Sequence, residues 1–201
     1  QKIFGVKPKV FRNTELIYNN ELAREVEKMG YKGILAEGAD HVLDWRSPNF
    51  VYKPKGAKKI KLLLKNYRLS DAIAFRFSSR EWRDWPLTAP KFSQWISAIN
   101  GNGQTVNLFM DYETFGEHQW AETGIFEFLR HLPEEVLKHP DNDFKTPSEV
   151  VKNYPAVAEL DVHSPVSWAD IERDLSAWTG NILQQSALKS VYDLEKAVLK
   201  T

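Results

Sequence analysis

Asn19-Asn20-Glu21-Leu22-Ala23-Arg24-Glu25-Val26-Glu27-Lys28-Met29-Gly30-Tyr31-Lys32-Gly33-Ile34-Leu35-Ala36-Glu37-Gly38 is the stretch that decides the fold. Asn19 or Asn20 can cap a helix that carries Leu22, Val26 and Met29 on one face, and Gly30 ends it. An extended stretch lies before it, within Lys9 to Tyr18, and an apolar strand, Gly33 to Ala36, follows and runs into Glu37. A strand, helix, strand order implies parallel pairing through a right-handed crossover. In sheets wound this way the reactive groups sit just past the carboxyl ends of the strands. Glu37 stands at such a place.

The same form recurs further along. Leu62-Leu63-Leu64 is a third buried strand candidate, and residues 66 to 88 read as an active-site loop with a short helix. Phe92, Trp95, Ile96 and Ile99 have helical spacing, and Asn100-Gly101-Asn102-Gly103 stops that helix. Val106 to Met110 then reads as a short buried strand into Asp111, and Ile125, Phe126, Leu129 and Leu132 mark another helix that ends near Pro133 or Pro140. This alternation places the chain in the α/β class, as part of a (β/α) barrel over residues 1 to 145. The character changes from residue 146. Thr146-Pro147-Ser148-Glu149 is a capping box, and Ser167 can cap an amphipathic helix or helix pair carrying Trp168, Ile171, Leu175, Trp178 and Ile182, with Gly180 hinting at a break. Residues 146 to 201 are therefore expected to be a helical segment packed on the barrel.

Composition narrows the function. The 201 residues hold 27 basic and 27 acidic side chains, so no net field steers the chain toward nucleic acid or an anionic membrane. Lysines 53, 55, 58, 59 and 61 read as a solvated face. The chain has no cysteine, which removes disulfides, thiolate nucleophiles and thiolate metal ligands together. That composition suits a cytoplasmic setting, and no window has the apolar length of a membrane span. No phosphate-cradling glycine loop or serine nucleophile elbow is present.

Two carboxyl groups at matching strand ends, Glu37 and Asp111, are what glycosidic cleavage needs: one protonates the leaving oxygen while the other attacks the sugar carbon or activates water. The bland alternative for Glu37 is a strand-end acid bonded to backbone amides. Glu113, two residues after Asp111 and on the same side if the chain stays extended, could orient a hydroxyl or tune Asp111. Asp111, Glu113 and His118 could instead gather a divalent metal, but no second histidine has zinc-type spacing, and the expectation is no metal. Asp40, Asp44 and Arg46 can hold the loop after Glu37 by ion pairing, and Arg46 can also reach a hydroxyl. Seven tryptophans supply flat faces for sugar rings, although most aromatics in any domain are core.

The string Asp111-Tyr112-Glu113-Thr114-Phe115-Gly116-Glu117-His118-Gln119-Trp120 resembles the fourth sequence signature of glycoside hydrolase family 57, the family of heat-stable amylases and glucan-transferring enzymes. Ile34 to Gly38, with Trp45-Arg46-Ser47-Pro48-Asn49 after it, is similar to the third signature. Glu172-Arg173-Asp174 with Leu175 to Asn181 resembles the fifth in the α-amylase-like branch. The resemblance implies an incomplete, seven-stranded (β/α)7 barrel, Glu37 as nucleophile and Asp111 as general acid/base. It further implies retention of configuration, an α-1,4-glucan as substrate and no organic cofactor. Trp45, Arg46, Glu113, His118, Trp120, Asp174 and Trp178 are the expected substrate-binding side chains. Alternatives that keep the fold are a 4-α-glucanotransferase and a catalytically silent glucan-binding protein. The family's His-Gln-Pro and Gly-Asn-x-Glu type signatures do not occur and the chain opens at Gln1, so it reads as a piece of a longer polypeptide.

Overall fold

The computed structural model describes Ile3 and residues 5 to 200. Its centre is a five-stranded sheet built from β1 (Val10–Arg12), β2 (Gly33–Glu37), β3 (Tyr52–Pro54), β4 (Lys61–Lys65) and β5 (Ala158–Leu160), in the order β1-β2-β4-β3-β5. The first crossover forms as its sequence dictates. α1 (Asn20–Lys28) starts at Asn19, whose side chain accepts the Leu22 amide, and Gly30 leaves the helix at φ 94°. Glycine reaches that left-handed region without the Cβ penalty other residues meet. β1 and β2 pair in parallel, as do β2 and β4, with Glu37 opposite Lys65 at the carboxyl ends. β3 runs antiparallel to β4 through Tyr52 and Leu62, and β5 adds parallel to β3.

Every residue of β2 is buried, which is why it reads as a continuous apolar run rather than an alternating one. One face of the sheet packs Ile34, Ala36, Leu62 and Leu64 against Val26 of α1 and Val166. The other packs Leu35 and Leu63 against Leu16, Val51 and the Val150–Val151 pair of α6 (Pro147–Asn153), which opens with the expected Thr146–Glu149 capping box. Between these lie the four-residue α2 (Asp40–Leu43), α3 (Tyr67–Ala74), α4 (Ala89–Ser97) and α5 (Ile125–Leu137). α4 and α5 form a separate core around Phe92, Ile125 and Phe128, with ring contacts from Phe92 to Phe128 and Trp95. α5 passes through Pro133 and ends only after Leu137.

Three local expectations are corrected. Val106 to Met110 is extended but belongs to no strand of the sheet. β3 occupies the first half of the free β4 edge, so this run reaches only its end: the Asn66 amide donates to Asn107 O and Asn107 Nδ2 to Leu64 O. Ser167 does not cap a helix. Its hydroxyl donates to Glu15 O and accepts the Ala169 amide, tying residues 167 to 175 down as a loop. Helices resume at α7 (Ser176–Thr179), break at Gly180, and continue as α8 (Ile182–Asp193), capped by Asn181, and α9 (Glu195–Val198). Finally, residues 112 to 114 form a 3-10 turn, so Glu113 does not follow Asp111 along an extended strand. Among the described residues no helix is long and apolar enough to cross a membrane.

Candidate functional site

A cleft of about 330 Å³ opens at the carboxyl ends of β2 and β4, lined among others by Lys65, Asp71, Asp111, His118, Trp168 and Arg173. Glu37 lies beneath this lining, its side chain fully buried. One carboxylate oxygen, Oε1, accepts the Gly38 amide at 2.7 Å. The other, Oε2, accepts no hydrogen bond and stands 3.6 Å from Lys65 Nζ and 3.7 Å from Arg173 Nε. Asp71, from the second turn of α3, closes the group: its Oδ1 accepts from Lys65 Nζ at 3.3 Å, and its Oδ2 is 3.6 Å from Arg173 Nη2. Two acids and two bases thus balance in a nearly dry space, which is the condition under which buried charges persist. Burial pushes the Glu37 carboxyl above its ordinary value, and the Lys65 ammonium, the Arg173 guanidinium and the Gly38 amide pull it back only in part.

Aromatic rings set the walls. Trp168 has two cations against its ring, the Arg12 guanidinium at 4.7 Å and Lys65 Nζ at 4.9 Å, and its Nε1 donates to Glu15 Oε2 at 2.9 Å. The Arg173 guanidinium rests 4.0 Å above the Tyr67 ring, whose hydroxyl donates to Asp40 at 2.6 Å. Arg173 reaches this position with φ 54°, a left-handed backbone imposed by the tied-down loop. His118 lines both this cleft and a neighbouring one of about 590 Å³ that also exposes Trp120, Trp85 and Arg80.

Of the side chains expected from sequence, Asp111 and His118 line one cleft, Glu37 lies buried beneath it against Lys65 and Arg173 of the lining, and Trp120 lines the adjoining cleft. Others lie apart. Trp45 is 82% exposed beside α2 and carries the Arg46 guanidinium on its ring at 5.1 Å. The expected ion pairing among Asp40, Asp44 and Arg46 is replaced by Asp40 with Arg68, because Tyr67 and Arg68 begin α3 directly over that loop. Glu113 is exposed, and its carbonyl accepts the Glu117 and His118 amides. Asp174 accepts the Ser176 amide at the start of α7, and bonds from Ser176 hold its carboxyl below the usual range. Trp178 sits on α7, its amide bonded to Leu175 O. Among the described residues no group of three His, Asp or Glu side chains stands close enough to hold a metal ion.

Sequence reading missed Lys65, Asp71 and Trp168 as site residues, and named Arg173 only as part of the string resembling the fifth signature. Lys65 carried a usable signal, a charge closing the apolar run Leu62-Leu63-Leu64 as Glu37 closes its own. Arg173 carried only its place in that string, since its position beside Glu37 depends on a loop fastened to Glu15.

Comparison with known proteins gives the family and the fold. The family profile described as Glycosyl hydrolase family 57 matches residues 1–163. A curated protein of Methanocaldococcus jannaschii, named "Putative alpha-amylase", is 50% identical over 98% of this chain, and the chain spans 42% of its length. Among solved structures, a 4-alpha-glucanotransferase from Thermococcus litoralis matches 96% of the chain, and 29% of its own, at TM-score 0.66 and 16% identity. A branching enzyme from Thermococcus kodakaraensis matches 88%, and 45% of its own chain, at TM-score 0.65 and 13% identity. An exo-type maltose-forming amylase from Pyrococcus sp. ST04 matches 85%, and 32% of its own chain, at TM-score 0.60 and 14% identity. These likenesses show the fold: α/β, part of an incomplete (β/α)7 barrel with a helical C-terminal segment.

Proposed function

The chain belongs to glycosyl hydrolase family 57, and on that premise we propose that it carries the catalytic pair of a retaining α-1,4-glucan hydrolase, with Glu37 as nucleophile and Asp111 as general acid/base. One observation supports the reading above the rest. Two carboxylates far apart in sequence stand at one cleft, Asp111 exposed on its wall and Glu37 buried beneath it beside two cations of its lining, Lys65 and Arg173. Glycoside cleavage needs two carboxyl groups, an ionised one that attacks and a second that hands a proton to the leaving oxygen, and the fixed cations beside Glu37 favour its ionised form.

The chemistry proceeds in two displacements. Glu37 Oε2 attacks the anomeric carbon, the glycosidic bond breaks, and Asp111 gives its proton to the departing sugar oxygen. Asp111 then takes a proton from water as that water displaces Glu37 from the same carbon, which restores both carboxyl groups and the original configuration. His118 and Trp120 lie where the sugar chain would leave the cleft, the indole offering a face for C–H contact and the imidazole a hydrogen-bond partner for a hydroxyl. An α-glucan such as starch, glycogen or a maltodextrin is the substrate class this reading assigns, with no organic cofactor.

The test is early product analysis on the full-length protein with maltoheptaose, by chromatography and anomeric NMR. Shorter products of α configuration support the hydrolase. Longer products beside shorter ones assign the same site to glucan transfer, and binding without products assigns it to glucan recognition alone. Glu37→Gln is expected to abolish turnover while leaving maltoheptaose affinity within about threefold, because removal of a transition-state interaction lowers kcat more than ground-state binding. Unchanged turnover in that variant would refute the nucleophile assignment.

A further inference from the structure

The two oxygens of Glu37 are unlike. Oε1 is committed to the Gly38 amide, whereas Oε2 is buried, accepts no hydrogen bond and stands 3.6 Å from Lys65 Nζ and 3.7 Å from Arg173 Nε. A carboxylate so withdrawn from water takes up a proton unless a fixed cation opposes that. Two cations are present and they are not equivalent. Lys65 belongs to the sheet, paired in register with Glu37, and its side chain is 6% exposed. Arg173 arrives on the loop of residues 167 to 175, and its guanidinium is divided among Glu37, Asp71 and the Tyr67 ring.

We infer that Lys65, anchored by Asp71, is a positioning residue that keeps Glu37 ionised while leaving Oε2 free to attack, an inference that rests on the reading of Glu37 as nucleophile. The distances carry it. Lys65 Nζ hydrogen-bonds Asp71 at 3.3 Å and stands 3.6 Å from Glu37 Oε2, so the attacking oxygen feels the ammonium charge without sharing its proton. A direct hydrogen bond from Lys65 would hold the lone pair needed for attack. The Trp168 ring, 4.9 Å from Nζ, walls the ammonium on another side and limits its water. Lysine suits the post because its charge is compact, whereas a guanidinium would reach both carboxylates through its fork. The charged groups facing Glu37 are Lys65 from β4, Asp71 from α3 and Arg173 from the loop. Lys65 is the strongest of those that draw the carboxyl back toward ionisation against burial, while Asp71 works against it.

The experiment measures covalent trapping of the full-length protein by a 5-fluoro-α-glucosyl fluoride as a function of pH. In that reaction the ionised carboxylate displaces fluoride from the anomeric carbon and forms an ester whose position peptide mass analysis reads. Lys65→Met and Lys65→Gln are expected to move the acid limb of the labelling rate to higher pH, with a loss of about tenfold or more on the acid side and recovery toward the wild-type rate as pH rises. Lys65→Arg, which keeps the charge, is expected to keep the limb. A folded Lys65→Met or Lys65→Gln whose rate falls evenly at all pH values would make Lys65 merely structural and overturn the inference. Should neither neutral variant fold, a displaced limb in Lys65→Arg overturns it and an unmoved limb supports it. Wild-type protein that is labelled elsewhere than Glu37 removes the nucleophile reading first, an outcome that mass analysis separates from the others.

Discussion

Gly38→Ala is the substitution whose consequence the structure specifies most tightly. A Cβ on residue 38 would stand 2.3 Å from the backbone oxygen of Lys65 and 3.0 Å from Pro48 Cβ. Carbon and oxygen settle at about 3.3–3.6 Å even in the closest favourable contacts, so roughly 1 Å must open between the ends of β2 and β4. Neither neighbour can swing away, one being main chain of a central strand and the other a proline ring carbon. Forcing an extra methyl into packed surroundings costs typically about 1–3 kcal/mol. The same shift stretches the Gly38 amide bond to Glu37 Oε1 and the Glu37–Lys65 pairing, which meet at this point. Displacement of a catalytic group by about 1 Å can lower rate by about a hundredfold. The assay is thermal and denaturant unfolding of the full-length protein beside kcat/KM on maltoheptaose, with Gly101→Ala as control. A Cβ at Gly101 meets nothing within 4 Å but its φ is +86°, so that variant should lose about 1–2 kcal/mol from backbone strain and keep its activity. Gly38→Ala with wild-type kcat/KM, or with a loss no larger than that of Gly101→Ala, would refute the reasoning.

Glu27 ends α1 by accepting the amides of Lys58, Lys59 and Ile60, and although burial opposes ionisation, these bonds together hold its carboxyl below the ordinary value of 4.5. Because the folded value is the lower one, the contribution is fully present above pH 4.5 and is lost as pH falls through that folded value. Glu27→Gln should therefore cost about 1 kcal/mol at pH 7 and progressively less in acid, as urea unfolding at several pH values would reveal; a pH-independent difference would contradict it. Phe92→Ala removes a fully buried ring from between Trp95 and Phe128, and should destabilise by about 3–5 kcal/mol in denaturant unfolding; a loss under about 1 kcal/mol would mean that the α4–α5 core is not packed as described.

Local chemistry made much of this molecule legible from its residues alone. Asn19, Gly30 and the run Gly33 to Ala36 specify the first strand–helix–strand unit through a cap, a left-handed stop and an apolar run, each acting within a few residues. The Thr146–Glu149 box and the break at Gly180 are signals of the same kind. Glu37 and Asp111 were legible as candidates because acids that close apolar runs stand out and because their strings resemble family signatures.

What the tertiary structure decided is where distant pieces meet. Whether Val106 to Met110 becomes a strand depends on the edge that β3 has already taken, which no local pattern reports. Lys65 is set beside Glu37 by strand register, and Asp71 reaches Lys65 because α3 starts immediately after β4. Arg173 reaches Glu37 only because Ser167 and Trp168 fasten their loop to Glu15. The sequence by itself determined the first strand–helix–strand unit, the Thr146–Glu149 cap and the break at Gly180, since caps, stops and apolar runs act over a few residues. The balance of charge around Glu37 was decided only by the fold, since Coulomb energy depends on distances in space and on exclusion of water, and neither is a property of neighbouring residues in the chain.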